Sequence, residues 1–176
     1  MFRIKGFYIF DYMEILTLGN ELLRQKSSPV KEIGPEYIKL AKDMIDALHV
    51  WDGIGLAAPQ VGIMERIFAV HVEGDVPRIF INPSIIETSQ ETVKFEEGCL
   101  SIPGTYTNVT RPEAVKIQAW NEKGRPFTIE ADGVLARVIQ HEYDHLEGIL
   151  FIDRISEAKR KSILAKIEKA VAKQQE

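Results

Sequence analysis

Near the end of the chain, the stretch from Gln140 to Gly148 reads Gln-His-Glu-Tyr-Asp-His-Leu-Glu-Gly. His141 and His145 stand four residues apart, with Glu142 just after the first. On a helix this spacing turns both imidazoles to one face, where they can reach a single metal ion. Glu142 is rotated by about 100° from His141, so its carboxylate is placed to meet a water on the ion rather than the ion itself. Two imidazoles do not complete such a site. The chemistry depends on where the third ligand comes from.

Three sources can be weighed. A protease pattern that continues as H-E-x-x-H-x-x-G-x-x-H finds its glycine in Gly148 but meets Phe151 at the position of the last histidine, and a phenyl ring cannot ligate. A downstream glutamate is a second source. Glu157 and Glu168 are available, but both belong to a lysine-rich segment that reads as a solvated helix. The third source is upstream, in Glu-Glu-Gly-Cys-Leu-Ser-Ile-Pro-Gly. There Cys99 lies on a turn beside a β-prone run, and a thiolate binds zinc or ferrous iron well, leaving a fourth position for water. A rival reading makes Cys99 a nucleophile activated by a histidine, which leaves Glu142 without a role.

The elements that must position these groups follow from pattern. Asp132 is placed to cap a helix on which Val134, Val138, His141 and His145 share a face, flanked by Leu135, Ile139 and Leu146, with Ala136, Gln140, Tyr143 and Glu147 opposite. Upstream, Arg-Ile-Phe-Ala-Val-His-Val, Arg-Ile-Phe-Ile-Asn-Pro-Ser-Ile-Ile-Glu, Ala-Val-Lys-Ile-Gln-Ala-Trp and Pro-Phe-Thr-Ile-Glu-Ala-Asp are short strand-like runs. In the third, Val115, Ile117 and Ala119 alternate with Lys116, Gln118 and Trp120, as in a half-buried antiparallel strand. A short helical turn capped by Asn20 and an amphipathic helix after Pro35, burying Ile38, Met44, Ile45 and Leu48, precede them. A last helix from Ser156 buries Ile163, Leu164, Ile167 and Val171. Grouped strands followed by helices predict an α+β fold.

Asp52 to Gln60 contains G-x-G-x-x-A, but it follows a helix and precedes a strand-like run. It therefore lacks the context of a dinucleotide fingerprint. Its glycines suit close backbone approach to a peptide, and Gln60 offers an amide donor.

Taken together and in order, Gly-Ile-Gly-Leu-Ala-Ala-Pro-Gln, Glu-Gly-Cys-Leu-Ser and Gln-His-Glu-Tyr-Asp-His-Leu-Glu-Gly resemble the peptide deformylases. The resemblance runs from Met13 to the last helix. It implies small antiparallel β-sheets around the metal-binding HExxH helix, with an N-terminal and a C-terminal helix. It implies metal ligands at Cys99, His141 and His145, a catalytic carboxylate at Glu142, and oxyanion donors from the Gln60 side chain and the Leu100 backbone N–H. The implied activity removes the formyl group from formyl-methionine of newly made polypeptides and releases formate. One divalent metal per chain would lower the pKa of a coordinated water; Fe2+ is expected in vivo, and Zn2+ or Ni2+ suit the same ligands. Gly53, Ile54 and Gly55 would pair with the substrate backbone as an added strand. Val134, Val138 and Ile54 would line an apolar methionine pocket edged by Arg137. Asp144 would orient a ligand or pair with Arg111.

Composition bounds the remainder. At 176 residues the chain suits one domain. We read residues 1–12 as an N-terminal extension and 13–176 as a single catalytic domain. The lone cysteine excludes an intrachain disulfide and favours a reducing, cytoplasmic setting. A net charge of −4 with a pI near 5.7 gives no reason to expect sequence-specific nucleic acid or a membrane as partner. The exception is the last helix, where Lys159, Arg160, Lys161, Lys166, Lys169 and Lys173 make a basic face that could dock on the ribosome near emerging chains. A zinc endopeptidase with a glutamate third ligand is the alternative enzyme, and a closed, non-enzymatic metal site the alternative to any enzyme.

Overall fold

The computed structural model describes residues 13–174, with side chains through residue 170; the boundary expected at residue 12 lies outside it. In chain order the elements are α1 (Glu36–Val50), β1 (Gly55–Ala57), β2 (Ile67–Val70), β3 (Arg78–Thr88), β4 (Thr92–Cys99), β5 (Ile102–Pro112), β6 (Ala114–Trp120), β7 (Pro126–Asp132), α2 (Gly133–Leu146) and α3 (Glu157–Gln174), with 3₁₀ turns at Glu21–Arg24, Ala58–Val61 and Phe151–Arg154. Five strands form an antiparallel sheet in the order β1-β2-β3-β6-β7. The other two, β4 and β5, pair with each other and, among the described residues, with no further strand. The fold is α+β, as the grouping of strands and helices implies.

The large sheet is built as its sequence suggests. In β6, Val115, Ile117 and Ala119 are buried, while Gln118 and Trp120 face outward. With Phe68, Phe80 and Ala131 they pack against Ala136, Val138, Ile139 and Leu146 of α2. On the sheet's other side Met44, Ala47 and Leu48 of α1 join Leu56, Ile67, Ala69, Ile79 and Ile81. A third cluster, around Leu23, Ile102, Val109, Leu150, Phe151 and Ile152, receives Ile163, Leu164 and Ile167 of α3, which are half-buried. The side chain of Val171 lies outside the described residues.

Two expectations need correction. The buried stripe of α1 is Tyr37, Ala41, Met44, Ala47 and Leu48. Ile38 is exposed because it sits one residue, about 100°, off that stripe. The face of α2 assigned to solvent is also largely buried, Ala136 and Gln140 included. The helix is sandwiched between the large sheet and the β4–β5 pair, so it is enclosed nearly all round. Gln140 tolerates this because its Nε2 donates to the carbonyls of Pro112 and Ala136, both at 3.0 Å. Asp132 does hold the N-cap position of α2, though its side chain makes no cap hydrogen bond. Asn20 does cap, accepting from the N–H of Leu22.

Candidate metal centre and active site

Cys99, His141 and His145 converge from two elements, with ligand atoms within 4.8 Å of one another. Cys99 ends β4 at the tip of the β4–β5 hairpin, where Leu100 and Ser101 form the turn and Cys99 registers with Ile102. The histidines come from the middle and last turn of α2. Cys99 Sγ lies 3.2 Å from His145 Nε2. Phe151, standing where a third histidine would lie in the protease pattern, instead stacks on His141 with ring centroids 6.0 Å apart. Glu157 and Glu168 are exposed on α3 and take no part in the cluster.

The donor set suits a transition metal: one thiol and two imidazoles, the imidazoles buried. Among the described residues two polar atoms here, Glu142 Oε2 and, on the far side of its ring from Cys99, His145 Nδ1, are buried without a hydrogen-bond partner. Orphaned buried polar atoms are costly, and Glu142 Oε2, next to three ligand-type side chains, fits a polar occupant at this point. His141 has a fixed orientation. Its Nδ1 lies 2.9 Å from Glu97 Oε2, and an ionised carboxylate only accepts. The proton is therefore on Nδ1 and the Nε2 lone pair is left for a metal.

Glu97 is the site residue that motif reading missed, although it belongs to the Glu-Gly-Cys-Leu-Ser stretch. It is buried and takes four hydrogen bonds. Oε1 accepts from Arg111 Nε at 2.7 Å and Arg137 Nη1 at 2.9 Å; Oε2 accepts from Arg111 Nη2 at 3.0 Å and from His141. Burial alone would raise its pKa, but the bonds from His141 and Arg111 outweigh it and hold the carboxyl well below the usual carboxylate range. Arg111 also reaches Asp144 Oδ2 at 2.6 Å, the pairing expected for Asp144, and Arg154 holds the same carboxylate from outside. A carboxylate two residues before the cysteine in a β-prone run was the available signal.

Glu142 differs from Glu97 in having no cation bonded to it. Burial pushes its carboxyl up to about 7, with His141 opposing. A group that titrates there is suited to taking and returning a proton near neutral pH. Its carboxylate lies against Gly55, where an added Cβ would collide with it and sit 2.7 Å from Val138 Cγ1. A side chain at Gly55 would have to displace the Glu142 carboxylate and Val138 from their places.

Gly55 belongs to β1, the edge strand of the large sheet. Ile54 O accepts from His71 N at 3.0 Å, and Ala57 N donates to Gln60 Oε1 at 2.8 Å. By the alternation of an antiparallel ladder, the N–H and C=O of Gly55 face the free edge. Gly53 donates its N–H to Leu48 O, which leaves its carbonyl. With Oε1 held by Ala57, Gln60 turns Nε2 toward Cys99 Sγ at 3.6 Å and Ser101 Oγ at 3.2 Å. Among the apolar candidates, Val138 is buried, while Ile54 and Val134 are exposed at 47% and 46%. Arg137, expected at the pocket edge, is buried, and its guanidinium bonds Glu97 and the backbone.

The residues Met13 to Leu18 strap these pieces together. Leu16 N donates to Gln60 O at 2.7 Å and Leu18 N to Ser101 O at 2.8 Å. One short segment thus spans both turns that flank Cys99.

Residues 12–161 match the family model described as polypeptide deformylase. The chain is 52% identical over 140 residues to a peptide deformylase of Clostridium botulinum, covering 80% of this chain and 94% of that one. It is 46% identical over 159 residues to a peptide deformylase of Neisseria meningitidis, covering 89% and 95%. Among solved structures, a peptide deformylase from Ehrlichia chaffeensis superposes with a TM-score of 0.87 at 36% identity, covering 93% of this chain and 99% of that one. The chain belongs to the peptide deformylase family, metal-dependent hydrolases that remove the N-terminal formyl group from nascent polypeptides.

Proposed function

We propose that this chain deformylates formyl-methionine peptides with Cys99, His141 and His145 as metal ligands and Glu142 as the proton carrier. The observation that carries the assignment is the buried, unpartnered Glu142 carboxyl beside three converging ligand-type side chains. When bound there, the metal supplies Lewis acidity and a lowered pKa for water. Glu142 takes the proton of the attacking water and returns it to the departing methionine amine. Gln60 Nε2 and the Leu100 N–H donate to the developing oxyanion, each such donor being worth about 3 kcal/mol in the transition state. The formyl-peptide backbone adds to the open edge of β1 at Gly53, Ile54 and Gly55. The methionine side chain lies against Val138, with Ile54 and Val134 at the rim.

The ligand set accepts iron, zinc and nickel alike; Fe2+ in a reducing cytoplasm is the occupant expected from the family resemblance. No described helix is long and apolar enough to cross a membrane. The basic face of α3, with Lys159, Lys161, Lys166 and Lys169 exposed, is the docking surface proposed for the ribosome. The strap from Met13 onward supports a catalytic domain that begins there, with residues 1–12 as an extension.

The test is formate release from a formyl-Met tripeptide by protein purified without oxygen and loaded with one metal at a time. Rapid release is expected with at least one of Fe2+, Ni2+ and Zn2+. Folded, metal-loaded protein that released no formate yet cleaved an internal peptide bond would move the chain to the endopeptidase reading.

A further inference from the structure

We propose that Arg137 is a positioning residue: it clamps the β4–β5 hairpin to α2 and thereby sets the distance between Cys99 and the two histidines. The inference rests on the metal-centre reading above and assigns Arg137 a task other than walling the substrate pocket.

The need for a clamp follows from topology. His141 and His145 ride on α2, which the large sheet fixes through an apolar core. Cys99 rides on a two-stranded sheet that shares no ladder with the large one. That pair joins the rest of the fold through its backbone at the base, where Ser89 N donates to Ala114 O, and at the tip turn, where Leu18 N donates to Ser101 O. The cysteine is at the end opposite the base, across the eight residues of β4. At about 3.3 Å per residue the lever is roughly 25 Å long. A rotation of one degree at the base therefore moves the tip by about 0.4 Å, and a metal site tolerates about 0.2 Å in each ligand distance. The strap bond holds the tip turn and Arg111 ties β5 to Asp144, but neither fixes the length of β4 against α2.

Arg137 is placed to fix it. It stands one helical turn before His141. Its Nη1 donates to Glu97 Oε1 at 2.9 Å and to Val109 O at 3.1 Å, and its Nη2 donates to Val93 O at 2.6 Å. The guanidinium carbon lies 5.9 Å from the centroid of the Phe95 ring. One planar fork thus grips β4 near its start and near its end, and β5 opposite. Val93, Phe95 and Glu97 alternate along one strand, and Val109 is registered with Phe95. A lysine carries the same charge but no fork, so it cannot serve these acceptors in one geometry. Glu97 makes the link direct, because the oxygen pair that Arg137 helps to hold also orients His141.

The experiment compares wild type, Arg137→Lys and Arg137→Met, each loaded with zinc. Zinc dissociation is followed by competition with a chromogenic chelator and no peptide present; Tm, kcat and KM are then measured. Arg137→Met is expected to weaken zinc binding by about 10–100-fold, the range for outer partners of metal ligands, and to lower kcat with KM unchanged. Arg137→Lys is expected to fall between it and wild type. A drop in Tm with zinc affinity unchanged would reduce Arg137 to packing, and a rise in KM alone would return it to the pocket wall. Should Arg137→Met not fold, wild-type zinc affinity in Arg137→Lys would overturn the proposal by itself. Wild-type protein that bound no zinc would instead sink the metal-centre reading.

Discussion

The two sides of α2 are held by different physics. Toward the large sheet it presents Ala136, Ile139 and Leu146 to Phe68, Phe80 and Ile117. Toward the β4–β5 hairpin it presents Arg137, His141 and Asp144 to Glu97 and Arg111. Apolar burial is strong and non-directional, contributing about 25 cal/mol per Å². The charged side is dear to desolvate and contributes little net stability for its size. It fixes angles, because each guanidinium fork and each carboxylate oxygen has a preferred direction. The sheet side keeps α2 folded; the hairpin side keeps the Cys99 thiol aimed at the histidines.

Substitutions on each side should separate these tasks. The largest effect belongs to the group that neither side pairs. Glu142→Gln keeps volume and removes the carboxylate, and it is expected to lower kcat by about 10²–10⁴-fold while metal content, measured by atomic absorption, stays at one per chain. Loss of metal in step with activity would recast Glu142 as a structural group.

On the hairpin side, Glu97→Gln leaves Arg111, Arg137 and His141 with a neutral partner that can accept on only one of its two head atoms. Breaking a buried pair this way costs about 3–5 kcal/mol, and metal affinity should fall with stability. On the sheet side, Ile139→Ala opens a cavity beside Phe80 at a cost of about 2–5 kcal/mol. Denaturant midpoints should therefore drop for both variants. Metal affinity of the folded protein should drop for Glu97→Gln alone. Equal metal loss in both would mean that the two sides are one mechanical unit.

Much of the site was legible because local pattern suffices for it. The i, i+4 histidines needed only a helix, and the burial of His141 and His145 followed from Val134 and Val138 on the same face, although Val134 itself proved half-open. Cys99 was one of three candidate sources, favoured by its turn, and it was the resemblance to the deformylases that singled it out. Glu97 was not legible, because its role depends on Arg111, fourteen residues away and opposite Val93 in the hairpin register, and on α2 beyond that. Glu147 likewise carried no sequence signal, yet it accepts from Arg66 and Lys26, both at 2.6 Å. Periodicity also failed where its premise failed. It assigns one face of every amphipathic helix to water, but here Ala136 packs into the large-sheet core and Gln140 is sealed in by its bonds to the carbonyls of Pro112 and Ala136. Elements of local origin were readable, and the cross-links between them were not.

The smallest effect is a test of the contrast between the two carboxylates. Glu97 is depressed and Glu142 raised to about 7, so their contributions to stability run in opposite directions with pH. Glu142's carboxyl is raised above its ordinary value of 4.5. Its contribution is therefore fully present below pH 4.5 and lost as pH rises through about 7, because the folded state must then carry a buried, unpaired charge. Between 4.5 and 7 the loss amounts to about 3 kcal/mol at most. In protein stripped of metal by a chelator, Glu142→Gln should thus be more stable than wild type at pH 8, with the gap closing toward pH 5. A bound cation stabilises the carboxylate and should shrink the gap. For Glu97 the sign reverses. Its depressed carboxyl contributes stability above its ordinary value of 4.5, and that contribution is lost only as pH falls through the depressed folded pKa. Glu97→Gln should accordingly be less stable than wild type at pH 8 and lose its disadvantage only in strong acid. Chelator-treated urea titrations of the two variants at pH 5 and pH 8 decide the matter. Parallel pH dependence would mean that Glu142 is already paired in the metal-free protein, and its assignment as the free proton carrier would fail.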